Sequence, residues 1–206
     1  MSVQDRRRRE KERRHIEILD AAEKMFLSKG YENTTIDDIA EALEISKPVI
    51  YRSFENKERL FLAVASKGAH ILYEMMEKKV ALEKSGLDKV MATGTVFYQF
   101  FTEHPDYCRL MHSARHMLRL NVAKAEGEGK NADMCLEIIC DAIENGKRDG
   151  SIRRDVDTRM TALFLMDASQ SMLEMIDSID GGFLIGSTRE DYIKHSFDLM
   201  RHSLKK

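Results

Sequence analysis

The sequence predicts an all-α protein of about nine helices, and three observations lead to this prediction. The 206 residues include only two prolines, so most of the chain lacks the residue that interrupts helices. Apolar residues recur at steps of three and four, as in Ile16, Leu19, Ala22 and Phe26, which is the period of one helical face. No stretch alternates apolar and polar residues, the pattern typical of a half-buried strand.

The helical patterns divide the chain in order. The first covers residues 15–29 and ends at Gly30, a residue suited to a left-handed C-terminal cap. Two short helices are predicted within residues 34–54. Six longer patterns follow, over residues 57–82, 87–103, 106–122, 131–148, 157–179 and 187–205. Glycines mark loops at residues 125–130 and 181–186.

Residues 34–54 contain two apolar patterns separated by a tight turn. The first pattern is Ile36, Ile39, Ala40 and Leu43, and the second is Ile45, Ile50 and Phe54. Ser46 follows the turn and is a favourable N-cap for a helix that begins with Lys47 and Pro48. Two helices joined in this way form a helix-turn-helix, whose second helix enters the DNA major groove. An ordinary helical corner is the alternative that the spacing alone allows.

Charge is distributed unevenly along the chain. The net charge of −2 does not by itself indicate a nucleic-acid binder. Residues 1–14, however, hold seven arginines or lysines against three acidic residues, a local excess of four positive charges. Such a polar segment cannot bury a core. It is therefore predicted to be a basic flexible arm that meets a polyanion.

Several classes of protein are excluded. Three cysteines, an odd number with no framework spacing, indicate reduced thiols in a cytoplasmic protein. No apolar run follows the N-terminal charges, and none approaches the ~20 residues needed to cross a bilayer. The sequence has no glycine-rich phosphate loop, nucleophile motif or apolar carboxylate pair. We therefore predict a soluble protein that is not an enzyme and needs no cofactor.

The segment from Ile18 to Phe61 resembles the N-terminal domain of the tetracycline-repressor (TetR) family of bacterial transcription factors. The resemblance rests on an ordered set: Ala22, Phe26, Gly30–Tyr31, Thr35, Ile39–Ala40, Ser46, Lys47, Tyr51, Phe54 and Lys57. It implies a DNA-binding domain at residues 15–61, after the arm at 1–14, and a ligand-sensing and dimerisation domain at 62–206. It also implies a homodimeric regulator, most often a repressor that a small inducer releases from its operator.

The resemblance assigns the contacts with double-stranded DNA. Thr35 and Lys57 would bind phosphates, while Ser46, Lys47, Val49 and Tyr51 would face the major groove. Two departures from the family pattern stand out in this sequence. Glu44 occupies the turn, where the family has glycine, so a strained backbone or a different corner is expected. Pro48–Val49 present an apolar surface suited to a thymine methyl, which leaves Lys47 and Arg52 for hydrogen bonds with bases.

The C-terminal half carries no comparable motif. Aromatic and methionine side chains could line an apolar inducer pocket, although each could equally be a core residue. This set is Phe97, Tyr98, Phe101, Met111, Met117, Met134, Ile138 and Met172. The last two helices are more apolar than a small bundle requires and predict a four-helix dimer interface. The interface set is Met160, Phe164, Met172, Met175, Ile193, Phe197, Met200 and Leu204.

Two alternatives remain open at the level of sequence. One is a helix-turn-helix protein that has no small-molecule inducer. The other is a metal- or haem-responsive regulator, because His104, Cys108, His112 and His116 follow one another at steps of four. A helix turns about 40° too far at each such step, so the ends of the row drift apart. No metal site is therefore predicted.

Overall fold

We describe a computed structural model of the chain over residues 2–120, 130–178 and 188–206. Within these ranges the chain forms nine helices, and the only strand-like contact is a single antiparallel bridge between Ile152 and Lys205. The helices are α1 (Val3–Lys29), α2 (Ile36–Ala42), α3 (Lys47–Tyr51), α4 (Lys57–Val80), α5 (Gly86–Glu103), α6 (Pro105–Leu120), α7 (Lys130–Asp149), α8 (Thr158–Ser178) and α9 (Arg189–Leu204). The all-α prediction is confirmed. The predicted loops at 125–130 and 181–186 lie outside the described residues, except Lys130, which begins α7.

The first helix is longer than the sequence pattern suggested. The segment predicted as a flexible arm forms the start of α1, a single helix of 27 residues. Ser2 and Asp5 close a capping box at its N-terminus. Ion pairs one turn apart then support the polar turns, with Arg8 near Glu12 at 3.8 Å and Arg13 near Glu17 at 3.6 Å. Local capping and side-chain pairs, not burial, make this segment helical.

The chain forms two compact units. The first contains residues 2–69 and 105–120, and the second contains residues 70–104, 131–178 and 188–206. The first unit therefore includes α6 and the N-terminal part of α4, as well as α1–α3. The functional domains expected at 15–61 and 62–206 stay a prediction.

The core of the first unit is built on α1. Ile18, Ile39 and Ile50 come from α1, α2 and α3, and all three are fully buried. Phe26 meets Phe61 edge to face, with ring centroids 5.2 Å apart. Leu110 and Ala114 of α6 belong to the same buried cluster. The small helices α2 and α3 are thus held by long-range packing, since helices of this length are not stable alone.

In the second unit, α5 and α7 cross at a pair of glycines. A Cβ on Gly86 would lie 1.9 Å from the backbone nitrogen of Gly146, so α5 could not carry a side chain there. A Cβ on Gly146 would in turn lie 2.5 Å from the side chain of Ile152. The start of α5 is also tied to the end of α7, because the amide of Gly86 donates to Asp149 at 2.7 Å. Arg201 of α9 pairs with Asp88 of α5 at 2.8 Å. Among the described helices, no segment combines the length and the hydrophobicity that a membrane span requires.

Candidate nucleic-acid interface

Helix α2 begins at a complete capping box. The hydroxyl of Thr35 accepts the amide of Asp38 at 3.1 Å, and the Asp38 carboxylate accepts the amide of Thr35 at 2.8 Å. The bonds from the Thr35 backbone and side chain lower the pKa of Asp38, so its carboxylate stays ionised. The amide of Thr35 is therefore engaged within the chain. Its exposed hydroxyl still has a proton to donate to a phosphate.

The turn after α2 has the hydrogen bonds of a Schellman motif. The amide of Ile45 donates to the carbonyl of Ala40 at 2.9 Å, and the amide of Glu44 donates to that of Glu41 at 3.0 Å. Glu44 adopts a φ of 53°, and among the described residues other than glycine only Glu44 has a positive φ. The left-handed corner is kept although glutamate replaces the usual glycine. The expectation of a strained backbone at Glu44 agrees with this geometry.

Helix α3 is short, and a single buried side chain anchors it to the core of the first unit. Its buried residue is Ile50, which is fully enclosed, whereas Tyr51 is 48% exposed. Ser46 has the extended backbone of an N-cap, but its hydroxyl makes no capping hydrogen bond. The predicted capping role of the Ser46 side chain is thus wrong. Pro48 lies in the first turn, where its missing N–H costs nothing.

Seven of the eight residues predicted to contact DNA lie on α3 and at the two positions that flank it, or at the start of α4. Five are exposed on or beside α3, namely Ser46, Lys47, Pro48, Tyr51 and Arg52, while Val49 is half-buried. Thr35 is exposed at the start of α2, and Lys57 is half-buried at the start of α4. All eight are in the first unit. The helix therefore has a buried side that fixes it and an exposed polar side that can meet a ligand.

An ion pair joins this exposed side to α2. The Lys47 ammonium lies 2.6 Å from the Asp37 carboxylate, and both side chains are more than half exposed. The hydrogen bond from Asp37 raises the pKa of Lys47, so the ammonium stays protonated well above neutral pH. Sequence reasoning missed Asp37. It stands beside the capping Asp38, and only the packing of α2 against α3 brings it to Lys47.

Two further cations have partners within the first unit. The Lys57 ammonium lies 4.0 Å from the centroid of the Tyr31 ring, a cation–π contact. The Arg52 guanidinium donates to the carbonyl of Pro48 at 3.2 Å. These contacts hold long side chains in place without neutralising their charge. Both cations therefore remain able to attract a phosphate.

The basic stretch of α1 starts next to α3. The His15 ring stacks on Phe54 with centroids 4.4 Å apart, and Phe54 ends the segment that contains α3. Residues 3–14 continue α1 from this point by about 18 Å of helix, at 1.5 Å for each residue. The arginines therefore lie on a helical extension of the unit that presents α3.

Comparison with known proteins settles what kind of domain this is. Residues 18–64 match the family model described as bacterial regulatory proteins, tetR family. Residues 18–64 therefore form a DNA-binding domain of the tetR type. A helix-turn-helix with these exposed residues is the DNA-binding part of such a regulator, and the chain is a DNA-binding transcriptional regulator.

Relatives whose similarity extends beyond this segment are diverse. The transcriptional activator FasR of Mycolicibacterium smegmatis is 25% identical over 65% of this chain, and the match spans 60% of FasR, less than two thirds of its length. The transcriptional repressor KstR2 of Rhodococcus jostii is 28% identical over 76% of this chain and 76% of its own. The solved structure of the regulator FadR from Bacillus subtilis, in complex with stearoyl-CoA, superposes with a TM-score of 0.64 at 15% identity. It covers 92% of this chain and 97% of FadR, and this likeness shows the fold.

The second unit contains a small apolar cavity of about 30 Å³. Its lining is Met76, Val90, Met91, Thr93, Gly94, Phe97, Ile139, Leu165, Met166, Ser169, Phe197 and Met200. Of the residues predicted to line an inducer pocket, Phe97 is in this lining. Tyr98, Phe101 and Met172 pack in a neighbouring cluster of the same unit. Met134 and Ile138 are half-buried on α7, and Met111 and Met117 belong to the first unit.

The residues predicted for a dimer interface fall into two groups. Met160 and Phe164 on α8 are 68% and 64% exposed, and they are four residues apart on one helical face. Met172, Ile193 and Leu204 are instead buried in their own unit. Met175 is half-buried, and Phe197 and Met200 line the cavity. The exposed apolar surface of α8 is therefore the part that a second copy could cover.

The histidine row gains no geometric support. Over the described parts of the chain, no three His, Cys, Asp or Glu side chains are placed to hold a metal ion. His104 is the C-cap of α5, whereas Cys108, His112 and His116 lie on α6. The row is thus interrupted, because α5 ends before His104 and a new helix, α6, begins at Pro105.

Proposed function

We propose that this protein is a homodimeric repressor that is released from its operator by a small, largely apolar inducer. The observation that carries the proposal is the exposed row of polar side chains on α3, fixed from below by the buried Ile50. Residues 15–61 act as the DNA-binding domain, and residues 62–206 act as the sensing and dimerisation domain. The protein works in the cytoplasm, where operator DNA is found.

The DNA contacts follow from side-chain chemistry. The hydroxyl of Thr35 and the ammonium of Lys57 bind phosphate oxygens, which accept hydrogen bonds from such groups. Ser46 faces the major groove. Lys47 and Arg52 donate to bases in the major groove, and Tyr51 reaches a phosphate. Pro48 and Val49 meet a thymine methyl. The basic turns of α1 add phosphate contacts, because their arginines are exposed and continue from the same unit.

Dimerisation places two DNA-binding domains on one operator. Phe164 and Met160 supply a large apolar surface on α8 that a second copy would bury. Two α3 helices then have to match successive major grooves, about 34 Å apart or a multiple of that spacing. An inducer releases the DNA because it binds more tightly to a dimer in which the α3 helices do not match this spacing. Movement of α4 would carry the change, since α4 runs from the first unit into the second.

Relatives support the inducer and the direction of control. FadR from Bacillus subtilis was solved with stearoyl-CoA, and KstR2 is named a repressor. FasR is named an activator, so repression is the proposal that the experiment must test. A regulator without a small-molecule inducer is the second candidate, and the cavity of about 30 Å³ favours it, because this volume holds no inducer without rearrangement.

The test is a gel shift with DNA from upstream of the protein's own gene. We expect binding at low salt that Lys47→Ala and Tyr51→Ala weaken, whereas Lys194→Ala, an exposed lysine of α9, leaves it unchanged. Replacing Arg6–Arg9 by alanine should flatten the dependence of binding on salt. Added apolar compounds should release the DNA. Failure to bind at low salt contradicts the proposal, and binding that no compound alters favours the second candidate.

A further inference from the structure

Ser169 on α8 has a buried hydroxyl that forms no hydrogen bond with any of the described residues. Its exposure is 7%, and it lines the cavity of the second unit. Three polar side chains are buried in the described parts of the chain, Thr34, Thr93 and Ser169. Thr34 donates to Gly30 at 2.8 Å and Thr93 donates to Val90 at 2.7 Å. The hydroxyl of Ser169 has no such partner among the described residues.

This hydroxyl requires an explanation because burial of an unpaired polar group is unfavourable. A serine on a helix commonly bonds the carbonyl four residues earlier, as Ser28 does with Lys24 at 2.7 Å. Ser169 does not use this local partner. Its hydroxyl is therefore available to a molecule that enters the cavity.

The rest of the lining sets the charge of that molecule. Besides Thr93 and Ser169, the described lining is apolar, and it contains no lysine, arginine, histidine, aspartate or glutamate. An ionised group transferred into such surroundings loses its hydration and gains no counter-charge. The group that meets Ser169 is consequently neutral.

The cavity must also enlarge to admit a ligand, because about 30 Å³ holds only a few atoms. The ring of Phe197 closes one side of it. A Cβ on Gly94 would lie 2.5 Å from Cε1 of Phe197. The Phe197 ring, which belongs to α9, therefore packs directly on the α5 backbone. Met76, Met91 and Met166 form part of the remaining wall. Methionine side chains change shape at low cost, so rotation of Phe197 and these methionines opens space.

We propose that Ser169 anchors the inducer and that the inducer is an uncharged, extended apolar molecule with one carbonyl or hydroxyl group. The Ser169 hydroxyl forms a hydrogen bond with that oxygen, and the apolar chain replaces the ring of Phe197 over Gly94. This inference rests on the inducible regulator proposed above and names the class of its ligand. It separates neutral ketones, esters and alcohols from carboxylates and from hydrophobic cations.

The experiment compares four compounds with one decyl chain: the methyl ketone, the alkane, the carboxylate and the trimethylammonium ion. Binding to the full-length protein is measured by thermal melting, and DNA release is measured separately by gel shift. We expect the ketone to raise the melting temperature. Ser169→Ala should weaken ketone binding about 3- to 10-fold, the range for one lost hydrogen bond. The alkane should be unaffected by this variant, and Ser171→Ala, an exposed serine of α8, should change neither.

A second variant keeps the test decisive if the wild-type cavity opens rarely. Phe197→Ala removes the ring and should bind the ketone more tightly than wild type, because the space is already present. Equal ketone binding by wild type and Ser169→Ala overturns the inference, as does preference for the carboxylate or the cation. In the latter case DNA release still supports an inducible regulator. Ketone binding that depends on Ser169 but never releases DNA supports the anchor and contradicts the proposed function.

Discussion

The backbone amide of Ile45 donates to the carbonyl of Ala40 over 2.9 Å, and this bond closes the corner between α2 and α3. The closure requires Glu44 to adopt a φ of 53°, a left-handed conformation that costs an L-residue about 1 kcal/mol or more. The corner is retained because Ile45 packs against the core of the first unit. Long-range packing therefore outweighs a local conformational penalty.

Glu44→Gly should stabilise the protein. Glycine adopts the left-handed region without a steric penalty, so the free energy of unfolding should rise by about 0.5–1 kcal/mol. Chemical denaturation of the full chain measures the change. Glu41→Gly, in the last turn of α2, is the matched control and should lower the same quantity by up to about 1 kcal/mol. A loss of stability in both variants would show that the corner is not strained.

The Asp37–Lys47 pair should restrain DNA binding. Asp37→Asn removes a negative charge 2.6 Å from the Lys47 ammonium, and phosphates no longer have to approach a carboxylate. Operator affinity should rise about 2- to 5-fold at low salt, the range for an exposed charge pair, and the gain should shrink as salt increases. Fluorescence anisotropy with labelled DNA measures the affinity. Asp198→Asn on α9 makes the same change in net charge far from α3 in sequence and serves as the control. An equal gain in operator affinity from Asp198→Asn would show that net charge, and not the contact with Lys47, causes the effect.

Tyr107 should stabilise the first unit through α1. Its hydroxyl donates to Glu23, which also binds Lys67 of α4. A Cβ on Gly68 would lie 2.6 Å from Cδ1 of Tyr107, so this ring packs directly on the α4 backbone. Tyr107→Phe should lower the free energy of unfolding by about 1.5–3 kcal/mol, as for a hydrogen bond to a charged group. Tyr73→Phe, which loses an exposed bond of 3.2 Å to Glu77, should have a much smaller effect.

The same cluster should be insensitive to pH near neutrality. Burial lowers the pKa of Lys67, but its hydrogen bonds with Glu23 and Asp20 outweigh burial and leave the pKa raised. A raised lysine pKa adds stability below its value in the unfolded chain, and this stability is lost only as pH rises through the folded value. The destabilisation by Tyr107→Phe should therefore be the same at mildly acidic and mildly alkaline pH.

Phe164 should control the oligomeric state. Phe164→Glu places a charge in an apolar surface that is 64% exposed in one chain, so it should disrupt a dimer without disturbing the protomer core. Sedimentation velocity should show a dimer for wild type and a monomer for the variant. Leu82→Glu is the control, because Leu82 is an apolar residue with 75% exposure outside α8. A dimer that survives Phe164→Glu would contradict the proposed interface.

The thiols should differ in reactivity. Burial raises the pKa of Cys135 to about 12, and burial also raises the pKa of Cys140, so neither forms much thiolate under mildly alkaline conditions. Cys108 is half-buried. A chromogenic disulfide reagent should modify Cys108 first, and all three thiols only in denaturant. Because Cys135 stays protonated when folded, stability should fall as pH rises above about 8.5, the value for an unfolded thiol.

Much of the helix-turn-helix at residues 34–54 could be predicted from sequence, because its signals are local. The corner at Glu44 and the buried Ile50 each follow from spacing and backbone chemistry. The helical start of α1 differs from the predicted flexible arm although its signals are also local. The Ser2–Asp5 capping box and the ion pairs at steps of four favour a helix, whereas the excess of arginine by itself predicts a flexible segment.

The helical fold and the positions of α2 and α3 are predictable from sequence, since three-and-four periodicity and caps act over a few residues. The packing of helices is what brings Asp37 to Lys47, places Phe197 on Gly94 and buries the hydroxyl of Ser169 without a partner among the described residues. Periodicity tells which residues are buried but not which residues they meet. Met172, Ile193 and Leu204 are buried within their own unit, while Met160 and Phe164 remain exposed. That distinction depends on how helices distant in sequence pack, which no local pattern contains.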